Sequence, residues 1–316
     1  MILQKNTHTF HIPVMGLAFT IDSPIRVAKY GIDSVISIMD DDLIEKMTAF
    51  YAQKFKQPYE EISQKVDDFR AKRITNYLNL IDTVVTQKFE SFKAELIETR
   101  SKLDDFMTTL PSSSQLKERL EELIASGKDN FHELQTTLNH YFHPGSIDVN
   151  IMTKLDKDNF KDHEQLPVIY NDAHSALRGF MNSTTNSSVV FSAGMNPRLF
   201  SYMESFDAFY PNENGKFQKK IILKVSDFRS AMIQGNFLAK KGLWVSEYRI
   251  ESGLNCGGHA FATDGFLLGP ILEEFKNKKQ DLIQSAYGLL TSALTAKNKT
   301  LPNTPPDLKL TVQGGV

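Results

Sequence analysis

Short apolar runs of strand length recur along the chain. Most are followed by a longer segment whose apolar positions repeat every three or four residues. The strand-like runs cover 12–19, 34–39, 147–152, 189–193, 221–225, 243–246 and 308–312. Helical patterns cover 171–181, 196–206, 227–241 closed by Gly242, and 267–297 with a break expected near Gly269-Pro270. Ser23-Pro24 supplies an N-cap and a proline at the first helical position for a short helix ending at Gly31. Strands alternating with helices imply a parallel sheet.

One region breaks this rhythm. Between Asp40 and Tyr141 no strand pattern stands out, and Val66, Phe69, Ile74, Leu78, Ile81, Val85, Phe89, Phe92 and Leu96 follow helical spacing. A break at Pro111-Ser112-Ser113-Ser114 precedes a second helical pattern over 115–141, which predicts a helical hairpin inserted after the second strand. Seven strands with helices between them predict an α/β fold: a TIM-barrel-like (β/α)₈ parallel barrel, incomplete at its C-terminus. Residues 1–39 would form its first part, 40–144 the insertion and 145–316 the rest, ending at the seventh strand. The last strand runs straight into Gly314-Gly315 with no helix after it, so a truncated chain is expected. The insertion either covers one side of the barrel or serves as a lid or an arm for homo-oligomer assembly.

Composition narrows the classes. The chain has 316 residues, 41% of them apolar, enough for a substantial core. A formal charge of −2 gives no general field for nucleic acid or an anionic membrane surface. The single cysteine, Cys256, rules out an intramolecular disulfide framework and fits a reducing compartment. No signal-peptide pattern and no window of about 18 apolar residues is present, so a cytoplasmic location is expected.

Candidate chemistry gathers in I-E-S-G-L-N-C-G-G-H-A-F over 250–261. Gly257 and Gly258 lack a Cβ, so their backbone can lie close against a flat ligand while presenting the His259 ring. An imidazole is the side chain whose ordinary pKa suits proton abstraction near neutral pH, which makes His259 the candidate acid/base. Cys256 offers a competing assignment, a thiol nucleophile with His259 as its base in a hydrolase or acyltransferase. A third is a non-catalytic barrel-like protein whose helical arm mediates assembly. His140 with His143, or His163 with Glu164, read as charged helix ends in preference to metal ligands, and no metal is expected.

The order of motifs resembles the nitronate monooxygenase family, formerly 2-nitropropane dioxygenases, and its relatives the flavin-dependent enoyl-acyl-carrier-protein reductases. The segments that carry the likeness are H-I-P-V-M-G-L-A-F-T before Ser23-Pro24, S-A-G-M-N-P over 192–197, N-C-G-G-H over 255–259, and the final strand ending in Gly-Gly-Val. Asn255-Cys256 stands where the family has Glu-Ala, and the helical stretch is not covered. The FMN barrels of glutamate synthase are similar, less closely. The resemblance implies an FMN-dependent oxidoreductase, a monooxygenase or reductase. Its substrate would be a small nitronate, enoyl or carbonyl compound, with NAD(P)H or O₂ as redox partner. Gly16 would approach the isoalloxazine, Asn150 would hydrogen-bond it, and Lys224 would sit near its electron-rich edge as a catalytic charge. Gly194, Gly257, Gly258, Gly314 and Gly315 would frame the cofactor. A lysine at that strand end also has a plainer assignment, pairing with a carboxylate such as Asp227. Under this assignment His259→Ala abolishes turnover and leaves flavin bound, as absorbance spectra and steady-state rates would report; unchanged turnover removes His259 from the chemistry.

Overall fold

The computed structural model describes residues 7–16, 20–192, 194–251 and 268–313. In chain order the elements begin with β1 (His11–Ile12), α1 (Ser23–Val27) and β2 (Asp33–Ser37). Five helices follow: α2 (Asp41–Lys54), α3 (Phe69–Glu98), α4 (Arg100–Thr109), α5 (Gln115–Ala125) and α6 (Phe131–Tyr141). Next come β3 (Ile147–Met152), a two-stranded hairpin of β4 (Phe160–Lys161) and β5 (Glu164–Gln165), and α7 (Asp172–Asn182). The chain continues through β6 (Ser188–Ser192), α8 (Pro197–Tyr202), β7 (Lys220–Val225), α9 (Phe228–Ala239), β8 (Val245–Glu251), α10 (Leu268–Ala296) and β9 (Lys309–Gln313).

Local chemistry accounts for most boundaries. Pro24 opens α1, and Gly31 closes that segment in the left-handed region at φ 77°. The stretch read as one helical hairpin is instead several helices, because the chain carries stop and start signals inside it. Thr99 is extended between α3 and α4, while the Ser114 and Asn130 side chains accept the Lys117 and Glu133 N–H groups at the starts of α5 and α6. Pro270 does not break α10, since it falls in the first turn, where a missing N–H costs no intrahelical bond. No helix among the described residues is long and apolar enough to cross a membrane.

The chain divides into two compact units, 1–37 with 42–61 and 76–148, and 38–41 with 62–75 and 149–316. The dividing lines differ from the segments 1–39, 40–144 and 145–316 read from the sequence. Helical residues 76–141 cluster with the N-terminal β1–α1–β2 segment, and 62–75 cluster with the later strands.

In the first unit, α3 to α6 enclose a core of Phe89, Leu96, Leu103, Phe106, Leu116, Leu120, Leu134, Leu138 and Phe142. The Phe142 ring sits 4.8 Å from Phe89 and 5.0 Å from Phe106. β1 pairs with β2 in parallel, and the Ser34 N–H donates to the Ser146 carbonyl.

In the second unit β3, β6, β7, β8 and β9 pair in that order, each neighbour parallel. The Ile38 N–H donates to the Asn150 carbonyl, four residues on from the Ser34–Ser146 bond on both strands, so β2 runs parallel to β3 and the sheet has seven strands in chain order. The order never reverses. Each crossover therefore steps the same way, and no topological switch point of the doubly wound kind arises.

Register sorts the side chains of this sheet. Val149, Ile151, Val189, Phe191, Ile221, Leu223, Tyr248 and Ile250 fall on one face and are all buried. Against β7 and β8 lies α9, with α10 packed on α9 through contacts such as Phe228 with Phe275 at 5.4 Å. The opposite face carries polar and charged side chains. At Gly235 of α9 a Cβ would lie 1.9 Å from the Tyr248 hydroxyl oxygen, so the helix reaches the strand only because this residue has no side chain. Gly235→Ala should therefore lower stability by about 1–3 kcal/mol despite alanine's better helix propensity; a urea melt with an unshifted or raised midpoint would contradict the contact.

Candidate functional site

The polar face of the second unit is built by the same register. Ser192, Lys224, Arg249 and Thr311 stand at one level across β6, β7, β8 and β9. One step toward the N-terminal ends of the strands lie Asn150, Val190, Ile222, Glu247 and Lys309; one step the other way are Glu251 and Gln313. Successive neighbours in a row are roughly 4.8 Å apart, the strand spacing.

Two acid–base pairs neutralise most of this charge. Lys224 Nζ lies 2.7 Å from Glu251 Oε2, both side chains buried. Arg249 donates through Nε at 2.9 Å and through Nη2 at 2.8 Å to Glu247 Oε1, which also accepts the Thr311 hydroxyl at 2.6 Å. Burial pushes the Glu247 carboxyl up, but Arg249 and Thr311 outweigh it and hold the group below the usual carboxylate range.

Other groups on this face are left without partners. Asn150 is 0% exposed, and neither its Nδ2 nor its Oδ1 has a hydrogen-bond partner among the described residues. Ser192 Oγ and Gln313 Oε1 are likewise buried and unpartnered. A buried amide without donor and acceptor partners costs stability, and such groups are rare in folded proteins. Asn150 can both donate to and accept from a ligand edge.

The loops after β3 and β6 are tied together beside this face. Thr153 Oγ1 lies within hydrogen-bond distance of the Ser192 carbonyl at 2.9 Å and the Gly194 carbonyl at 2.7 Å. Gly194 itself has φ 96°, and a Cβ there would meet no atom of the described residues within 4 Å. Asn196 caps α8 through its Oδ1 and donates from Nδ2 to Asp156 Oδ2 at 3.1 Å. Asp156 also accepts the Ala173 N–H and meets His174 Nδ1 at 3.0 Å. The His174 ring is covered by Tyr202, centroids 5.3 Å apart. Burial pushes the Asp156 carboxyl up, yet the His174, Asn196 and Ala173 contacts pull it further down, below its ordinary value.

Among the residues expected at a site, Asn150, Gly194 and Lys224 belong to this second unit. Lys224 pairs with Glu251, not with Asp227; Asp227 instead caps α9 by accepting the Ser230 N–H at 2.6 Å. Gly16 lies in the first unit at φ 119°, its carbonyl accepting the Thr20 hydroxyl at 2.8 Å. Cys256, Gly257, Gly258, His259, Gly314 and Gly315 lie outside the described residues. Sequence reasoning passed over Ser192, Glu247, Arg249, Glu251, Asp156 and His174. For β8 the signal was present in the alternation Glu247-Tyr248-Arg249-Ile250-Glu251, a period-two pattern with polar residues on one side. Nothing in the sequence linked Asp156 to His174 and Asn196, which are brought together only by the fold. Among the described residues, no three His, Cys, Asp or Glu side chains group as a metal site would.

No protein-family model, curated protein or solved structure matches the chain.

The Asp156 network makes a pH-dependent contribution of definite sign. Its folded-state pKa is depressed, so its stabilisation is present above the ordinary value of 3.8 and lost as pH falls through the lower folded-state value. Asp156→Ala should therefore destabilise the protein at neutral pH, with the gap from wild type closing below about pH 3.8. Denaturant titrations at pH 7 and pH 3 test this, and a gap of the same size at both would exclude the linkage.

Proposed function

We propose that the chain is a flavoprotein oxidoreductase of the parallel (β/α)₈-barrel type, binding FMN over the polar sheet face and acting on a small activated substrate. The observation that carries this reading is the fully buried Asn150 amide, unpartnered among the described residues at both its donor and its acceptor. The pyrimidine edge of a flavin alternates carbonyl oxygens with an N–H, and one side-chain amide answers such an edge with an acceptor and a donor at once. The sequential parallel strand order supports a barrel over a doubly wound sheet. Gly194, open on its Cβ side, suits a close approach of backbone to a ligand.

FMN would supply electron transfer; the chain's residues would bind and orient it. Asn150 would hold the ring edge and Gly194 would leave room beside it. The Lys224–Glu251 pair would fix a buried ammonium with its carboxylate, so the positive charge near the ring would be a held dipole in place of a free lysine. His259 is the acid/base candidate in this reading, on the chemistry of its residue type.

Asn150→Leu separates a ligand-binding amide from a structural one. Removing an unsatisfied buried amide while keeping its volume should raise the stability of the flavin-free protein by about 1 kcal/mol. The same change should weaken FMN binding by roughly tenfold or more, the loss of about 1.4 kcal/mol or more of hydrogen bonding. Flavin fluorescence quenching on titration, alongside a denaturant melt, measures both. Wild-type protein that fails to bind FMN, or a leucine variant that binds it equally, would refute the proposal.

A further inference from the structure

Arg249 is 3% exposed, and of its three guanidinium nitrogens Nε and Nη2 are committed to the single oxygen Glu247 Oε1. Its Nη1 amino group has no partner among the described residues. Arg249 lies on the polar face, at the same level as Lys224 on the adjoining strand β7 and Thr311 on β9. Glu247, one step below, holds the guanidinium through Nε and Nη2 and is itself held by the Thr311 hydroxyl, so the fork is fixed before any ligand arrives. Two strand spacings along the same level, roughly 10 Å between backbones, stands the Ser192 hydroxyl, buried at 5% exposure and unpartnered among the described residues.

We infer that this row is the acid-binding part of the site: the substrate is a small organic acid. Its carboxylate is bound by the free side of Arg249, and its other end carries a polar group that meets Ser192. A planar carboxylate suits a guanidinium whose orientation is already set, and a buried charge-assisted hydrogen bond of this kind is stronger than a neutral one. Glu247 keeps Arg249 neutralised when the site is empty, which makes a buried cation tolerable without a bound anion. Lys224 on the neighbouring strand adds positive potential at the same level, tempered by Glu251. The inference rests on the reading of this face as a substrate site and specifies its substrate class.

The test is a ligand-observed NMR titration of purified wild-type protein with succinate, with succinamide as neutral isostere and inorganic phosphate as tetrahedral anion. Wild type should bind succinate at least tenfold more tightly than either competitor. The double variant Glu247→Gln with Arg249→Gln removes the pair together, so no lone buried charge is left, and it should abolish the preference. Arg249→Lys should retain part of it, and Ser192→Ala should weaken succinate less than the double variant does. Equal binding of succinate and succinamide by wild type, tighter binding of phosphate, or a preference that survives in the folded double variant would overturn the inference. Circular dichroism establishes folding, and if the double variant is unfolded an undiminished preference in Arg249→Lys overturns it instead. FMN retention is read on the same samples. Flavin binding without carboxylate preference sinks this inference alone, whereas carboxylate preference without flavin sinks only the cofactor assignment.

Discussion

The polar face exists because β8 pairs with β7 out of step by one residue. Ile221 faces Val245, but Ile222 faces Glu247, leaving Ser246 without a counterpart on β7. A side chain's face in a strand alternates with period two, so one extra residue moves everything after it to the other side of the sheet. Were Ser246 paired regularly with Ile222, so that the strand stayed in phase with Val245, Glu247, Arg249 and Glu251 would fall in the helix-covered apolar layer. There they would lack each other's partners on β7 and β9, and Tyr248 and Ile250 would face the charged row. The cost of burying three charges against α9 and α10 far exceeds what a regular ladder returns at one residue. The bulge is thus the condition under which this strand can be both charged and buried.

Given that phase, the charges constrain one another. Lys224 and Arg249 occupy the same level on adjoining strands and would repel. The carboxylates come from β8 itself, Glu251 one step above and Glu247 one step below, so each cation leans away from the other toward its own partner. Buried pairs of this kind add little net stability over an apolar core, but losing one member leaves a lone charge and is severely destabilising. Their physical effect is to fix the direction of each side chain. Asn150, Ser192 and Gln313 differ from them in having buried polar atoms without hydrogen-bond partners among the described residues.

The loops beside this face are held by a second set of contacts. Asp156 gathers His174, the start of α7 and Asn196, and Thr153 reaches the carbonyls on either side of residue 193. The turn at Gly194 is thereby held from the β3 side. The first unit is organised differently, around an aromatic cluster of Phe89, Phe106 and Phe142, and its packing is that of ordinary helices meeting through apolar stripes.

By itself the sequence determined the alternation of strands and helices, the parallel α/β class and the positions of most elements. These follow from periodicities of two and 3.6 that a chain carries locally. It also located the helical stretch before β3, though the caps at Ser114 and Asn130 and the extended Thr99 divide that stretch more finely than its apolar spacing implied. Asn150 and Lys224 stood out as candidates in the sequence, on residue type and on a resemblance. What only the tertiary structure decided is which side chains share a face. Ser192, Lys224, Arg249 and Thr311 become one row through the register of four strands, and the inserted Ser246 shifts that register in a way no periodicity within β8 reveals. Asp156, His174 and Asn196 are likewise distant in sequence and adjacent only because parallel strands deliver their loops to the same end of the sheet. Local pattern fixes an element's type, but the partner of a buried charge is set by pairing between strands, and that is a property of the assembled sheet.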